Sequence, residues 1–119
     1  MTERMNETWR AAGVQAGREW LRSIDPALPV APQVAACVAH AAPKAGGIAK
    51  TTAWGVVQLC CVWAASGHTG TCQEGCDAWF DSAIGVVNEA LGTRVRAQTL
   101  QSMATGEATC ARRIWDENL

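Results

Sequence analysis

The chain has 119 residues, 49 % of them hydrophobic and 18 % charged, with a formal net charge of −1. That length suits one domain with a single core, residues 1–119, and so slight a charge supplies no basic field for a phosphate backbone, which argues against nucleic acid as a partner. No stretch approaches the ~20 apolar residues of a membrane span, and MTERMNETWR is polar and mixed in charge, unlike a secretory leader, so the expected setting is the cytoplasm, away from membranes.

From Asn6 to Ser23, the residues Met5, Trp9, Ala12, Ala16 and Trp20 recur at helical spacing, with Arg10, Arg18, Glu19 and Arg22 mostly elsewhere on the wheel. This predicts an amphipathic helix, stopped by Asp25-Pro26, Pro29 and Pro32, because proline removes a donor and disfavours helix in the residue before it. A second helix is expected from near Pro32 through Val34, Cys37, Val38 and Ala41 to Pro43, then a flexible connection over Lys44 to Gly47. The apolar run TTAWGVVQLCCVWAA is ambiguous by periodicity, but its β-branched and aromatic residues favour a strand over Trp54 to Val62. Ser66 to Gly70 reads as a turn. Cys76 then opens a long helix in which Trp79, Phe80, Ala83, Ile84, Val87 and Leu91 step by threes and fours, with Asp77, Asp81, Asn88 and Glu89 outward and Gly92 as its stop.

The last segment alternates. Val95, Ala97 and Thr99 fall on one face, Arg94 and Arg96 on the other, followed by a turn containing Gly106 and a second run from Cys110, which is a strand-turn-strand ending. The predicted fold is α+β: N-terminal helices and one long helix packed on one face of a small antiparallel sheet with a C-terminal β-hairpin. Three strands leave open edges, and six tryptophans on so short a chain exceed what one small core readily buries, so association into a homo-oligomer is expected.

The wording of that tail carries a resemblance. Arg96-Ala97-Gln98-Thr99-Leu100, then Gly106-Glu107 and Cys110, resembles the R-x-Q-T-L … G-D-x-x-C ending of the L-2-amino-thiazoline-4-carboxylic acid hydrolase family. A looser form of this ending occurs in 4-vinyl-reductase-type small-molecule-binding domains. Upstream, to about Val56, Cys61 and Cys76 with Asp77 or Asp81 fill the places of the family's strand-ending Cys and its Cys followed closely by Asp. The chain departs where the family has an acidic residue and Phe after the last Cys; here stand Ala111 and Arg112. The resemblance implies an α+β fold and ring opening of a thiazoline by water.

Several residues can carry such chemistry. A thiolate is a strong nucleophile, and a nearby cation or helix N-terminus favours it. Cys61 is the strand cysteine that the resemblance selects, Cys76 stands at the expected helix start, and Cys110 opens the last strand beside arginines; Cys37, among alanines, reads as core filling. His68 titrates near neutrality and is a candidate general acid or base, whereas His40 reads as a solvated helix-end residue. Cys61, His68, Cys72 and Cys76 also form a loose set of soft ligands, but one C-x3-C spacing does not specify a metal, and neither metal nor cofactor is required by the reading.

Arginine forks grip carboxylates and carboxylates hold ammonium or amidinium groups, so Arg96, Arg112 and Asp81 are candidates to orient an amino-acid-like substrate. Arg94, Arg113 and Glu107 read as a solvated sheet face. Two functions stay open: a small-molecule hydrolase that opens a cyclic, amino-acid-derived substrate with Cys61, Cys110 or a water activated by His68, and a small-ligand or metal-binding module without turnover.

Overall fold

The computed structural model describes residues 3–45, 47–60, 69–103 and 106–118, with side chains described from residue 6 onward except those of residues 44, 45, 60 and 69–73. Helix α1 (Glu3–Leu21) is followed by α2 (Val30–Ala41), a short 3-10 turn (Ala42–Ala45) and strand β1 (Ile48–Thr51). Strand β2 (Gly55–Cys60), helix α3 (Thr69–Leu91) and strands β3 (Val95–Gln101) and β4 (Cys110–Asp116) complete the order. The predicted α+β class holds. Among the described residues three α-helices accompany a four-stranded antiparallel sheet in the order β1-β2-β4-β3, closed by the C-terminal hairpin. Among the described residues no helix is long and apolar enough to cross a membrane.

The described structure corrects three expectations. Where a flexible connection was expected to lead directly to the central strand, the 3-10 turn covers Ala42–Ala45 and a fourth strand, β1, follows. This four-residue edge strand is exposed along most of its length, so it lacks the alternation that reveals a half-buried strand. Its turn into β2 is held by Thr52, whose hydroxyl oxygen accepts the Trp54 and Gly55 amides at 3.3 and 2.9 Å. Second, α3 begins seven residues before Cys76, so Cys76 lies in the third turn and receives no stabilisation from the positive helix end. Third, Asp77 and Asn88 do not simply face solvent; both reach the sheet.

Trp20, Ile24, Val34, Val38, Val56, Phe80, Ile84, Val87, Val95 and Ile114 belong to one core cluster that joins all three helices to one sheet face. α2 packs on β1, β2 and β4, while α1 packs along α3. That second pairing is close. A Cβ on Gly13 would meet the Trp79 carbonyl and one on Gly17 the Ala83 carbonyl, so the spacing Gly13-x-x-x-Gly17 lets the two backbones approach. Trp79 stacks edge-on against Trp20 and Phe80, with ring centroids 5.5 and 5.0 Å away.

Two local devices fix how α3 meets β3. Gly92 stops the helix as expected, in the left-handed conformation at φ 67°, with its amide donating to the Asn88 carbonyl at 2.9 Å. The Asn88 side chain then accepts the Val95 amide at 2.9 Å and donates to the Val95 carbonyl at 3.1 Å. The entry to β3 is thereby tied to the last turns of the helix, and this sets the register of every α3 side chain against the sheet.

Candidate functional site

The register places Val56, Arg112 and Thr99 side by side across β2, β4 and β3. Because Ile114 is buried on the helix-covered face, the period of two along β4 directs Arg112 to that face as well, and its neighbour Arg113 to the other. Arg113 accordingly lies over the Trp115 ring at 4.6 Å, exposed. Arg112 instead has only 3 % of its side chain exposed.

Above Arg112 runs the α3 face carrying Asp77, Phe80 and Asp81, at helical steps of three and four. Together with Ala97, Thr99 and Arg112 these residues line a cavity of about 270 Å3, open to solvent at one side. The guanidinium sits 4.4 Å from the Phe80 ring centroid, and its Nη1 donates to Gln58 Oε1 at 3.0 Å. Its Nη2 faces Asp77 Oδ1 at 3.8 Å, an ion pair too long to be a hydrogen bond. Thr99 Oγ1 donates to the same Asp77 oxygen at 3.2 Å.

This is weak compensation for a buried cation. Guanidinium has five N–H donors, and desolvating a charge is offset only where hydrogen bonds and counter-charge have good geometry. Among the described residues Arg112 has one hydrogen bond, one long ion pair and one aromatic face. A planar anion in the cavity would supply the missing bidentate partner. On the cavity's other wall, burial pushes the Asp81 carboxyl above its ordinary range, the charge of Asp77 adds to this, and Arg96 opposes it. Two carboxylates thus face one buried guanidinium, with the exposed Arg96 offsetting part of the excess, and a ligand cation would relieve the repulsion that remains.

The sequence candidates are not all gathered here. Of the expected substrate-orienting groups, Arg112 and Asp81 both line the cavity. Arg96 is exposed on edge strand β3, its Nε 3.3 Å from Glu117 Oε1, and acts on the cavity only through Asp81. Arg94 pairs with the same residue, Nη2 to Oε2, at 3.4 Å. Cys76 is half-buried in α3, one residue before Asp77.

Cys110 is buried at the start of β4, where its sulfur accepts the Met103 amide at 3.3 Å and so helps close the hairpin loop. Cys61 and His68 lie outside the described residues, as does the Cys72 side chain, so the expected meeting of Cys61 with Cys110 falls there too. Cys37 is half-buried with its sulfur 3.7 Å from the Ser23 hydroxyl; burial pushes its thiol up, the hydrogen bond opposes this, and the result fits an inert core thiol. His40 is exposed in the last turn of α2. Among the described residues no group of three or more His, Cys, Asp or Glu is placed to hold a metal ion.

Three contributors were not singled out from the sequence: Phe80, assigned wholly to the core, Gln58, whose amide oxygen accepts from Arg112, and Thr99, whose hydroxyl donates to Asp77. Thr99 had a signal, since it shares its strand face with Val95 and Ala97. No family model, curated protein or solved structure matches this chain.

Proposed function

We propose that the cavity between α3 and the sheet binds a small zwitterion of amino-acid type. The ligand's carboxylate lies on Arg112 and its ammonium or amidinium group on Asp81 and Asp77. The observation that carries this is the buried Arg112 guanidinium, partly engaged and facing a cavity whose opposite wall is doubly acidic. The volume of about 270 Å3 suits a molecule of a few heavy atoms rather than a polymer.

Isothermal titration with L-serine, and with ethanolamine and propionate as singly charged controls, tests it. The zwitterion is expected to bind in the intact protein and to lose most of its affinity in Arg112→Gln, with circular dichroism confirming the fold. Equal binding of the singly charged controls, or binding indifferent to Arg112→Gln, contradicts the proposal. Asp81→Asn, at an exposed position, gives a second arm that does not disturb the buried cation.

A hydrolase acting on a cyclic amidine in the same cavity is the second reading, and the Asp77 and Asp81 pair favours it. Asp77 is held by Thr99 and Arg112 while the Asp81 carboxyl is pushed up, a division of environments that suits acid and base roles. Loss of the thiazoline ring on incubation with 2-amino-thiazoline-4-carboxylate, absent in Asp81→Asn, is the outcome that selects this reading; intact substrate selects the binding module. Copies are also proposed to associate, because Ile48, Trp54, Leu59 and Leu100 leave 41 to 54 % of their surface exposed. Light scattering at micromolar concentration is expected to return a dimer mass or larger, and a monomer mass removes that expectation.

A further inference from the structure

Two of the residues that line the cavity, Ala97 and Thr99, belong to the edge strand β3. Hydrogen bonds beside the hairpin tell which backbone groups of that strand are already engaged. The Glu117 amide donates to the Arg94 carbonyl at 3.0 Å, and on the other side of β4 the Ile114 amide donates to the Trp54 carbonyl at 2.9 Å. Alternation along an antiparallel strand then turns the backbone groups of Arg113, Trp115 and Glu117 toward β3. By the register, Arg96 and Gln98 bond to β4, whereas Val95, Ala97 and Thr99 turn their amides and carbonyls to the open edge.

That edge is not treated alike along its length. At Val95 the Asn88 side chain takes both groups, accepting the amide at 2.9 Å and donating to the carbonyl at 3.1 Å. Among the described residues nothing does the same for Ala97 or Thr99. Strand edges are ordinarily closed by pairing, covering or charge, and here the closure stops where the cavity begins. The edge also lies close to the buried cation. Asp77 Oδ1 accepts from the Thr99 hydroxyl at 3.2 Å and faces Arg112 Nη2 at 3.8 Å, so one carboxylate oxygen spans the gap between them. A single peptide unit, with its Cα atoms ~3.8 Å apart, is long enough to bridge the same gap.

We infer that the zwitterion bound over Arg112 is a small peptide, and that the Ala97 and Thr99 backbone groups pair with its amide as a strand edge pairs with an added strand. This rests on the zwitterion reading for the two charged ends. The terminal carboxylate lies on Arg112, the terminal ammonium on Asp81 and Asp77, and the amide between them meets the β3 edge. A free amino acid has no amide to offer there, and a cavity of about 270 Å3 suits a dipeptide rather than a long strand.

Glycylglycine and 5-aminopentanoate share chain length and terminal charges and differ in the amide, so their comparison by isothermal titration, with L-serine as reference, isolates the edge. Glycylglycine is expected to bind about tenfold more tightly than 5-aminopentanoate, the return of one or two ordinary amide hydrogen bonds. Amide hydrogen exchange followed by nuclear magnetic resonance supplies a readout that needs no variant. The Ala97 and Thr99 amides are expected to exchange quickly in the free protein, and at least one of them to be slowed by glycylglycine but not by 5-aminopentanoate. Glycylglycine binding no tighter than 5-aminopentanoate, with both lost in Arg112→Gln, would overturn the peptide assignment and leave the zwitterion reading standing. Binding of L-serine without binding of glycylglycine would do the same. A glycylglycine preference that slows neither amide, or slow exchange of both amides before ligand is added, would also overturn the edge pairing. Saturable binding by none of the three ligands, or binding indifferent to Arg112→Gln, would overturn both.

Discussion

Arg112 shows how one residue can be legible and still be misjudged. Its burial follows from two adjacent arginines on a strand: with Ile114 inward, alternation forces Arg112 inward and leaves Arg113 outside. Arg112 was expected as a candidate anion grip and Arg113 as part of a solvated sheet face, yet nothing in β4 alone reveals the Phe80 ring and Gln58 amide that receive the inward one, because both come from distant elements. Asp81 carries the clearest prediction at this scale. Its folded-state carboxyl is held above the unfolded value, so between those values the folded protein binds more protons, and stability falls as pH rises through the folded value. Asp81→Asn is therefore expected to raise the melting temperature at pH 7 and to make little difference near pH 3, where the native carboxyl is protonated; thermal melts across that range would show it. An amine ligand needs the ionised carboxylate, so its affinity is expected to change in the opposite sense, weakening as pH drops through the same window. A melting temperature equal to wild type at every pH would remove the assigned repulsion.

At the scale of elements, the long helix and closing hairpin were visible because their periods of 3.6 and two are sustained over many residues. What periodicity hid was the start of α3 and the reason for glycines within helices. Gly70 and the preceding polar run suggested a turn, and Gly75 is a poor helix former, but Gly75 is used inside α3 because a Cβ there would strike the Trp9 indole. Gly13 and Gly17 have the same logic against α3. Gly13→Ala and Gly17→Ala are each expected to destabilise by about 1–3 kcal/mol through overpacking, despite alanine's better helix propensity. Gly85, in the same helix with open space where a Cβ would stand, is the control: Gly85→Ala is expected to stabilise by ~0.5–1 kcal/mol. Urea denaturation of the three variants tests the sign in each case. Asn88→Ala leaves the Val95 amide and carbonyl without their partner and is expected to cost about 1–3 kcal/mol. If Asn88 also sets the register of α3 against β3, that variant loses ligand affinity even at temperatures where it remains folded.

At the scale of the whole molecule, α3 lies against α1 on one side and the sheet on the other, and the cavity opens on its sheet side. The α+β class was readable from element order, since helices before and between short strands must settle on one sheet face to form a core. The meeting of Asp77, Asp81, Thr99 and Arg112 was not readable as geometry, because it depends on the antiparallel order β2-β4-β3 and on the Asn88 tether, neither of which leaves a local pattern. The central claim is that this meeting forms a binding site for a small zwitterion. Nuclear magnetic resonance of the 15N-labelled protein during titration with L-serine tests it most directly, through the Arg112 Nε–Hε signal and the amides of Asp77, Phe80, Asp81, Ala97 and Thr99. The account predicts saturable shifts concentrated on that set and on Gln58. Shifts absent at millimolar L-serine, or clustered on β1 and α2 with the Arg112 signal unmoved, would contradict it.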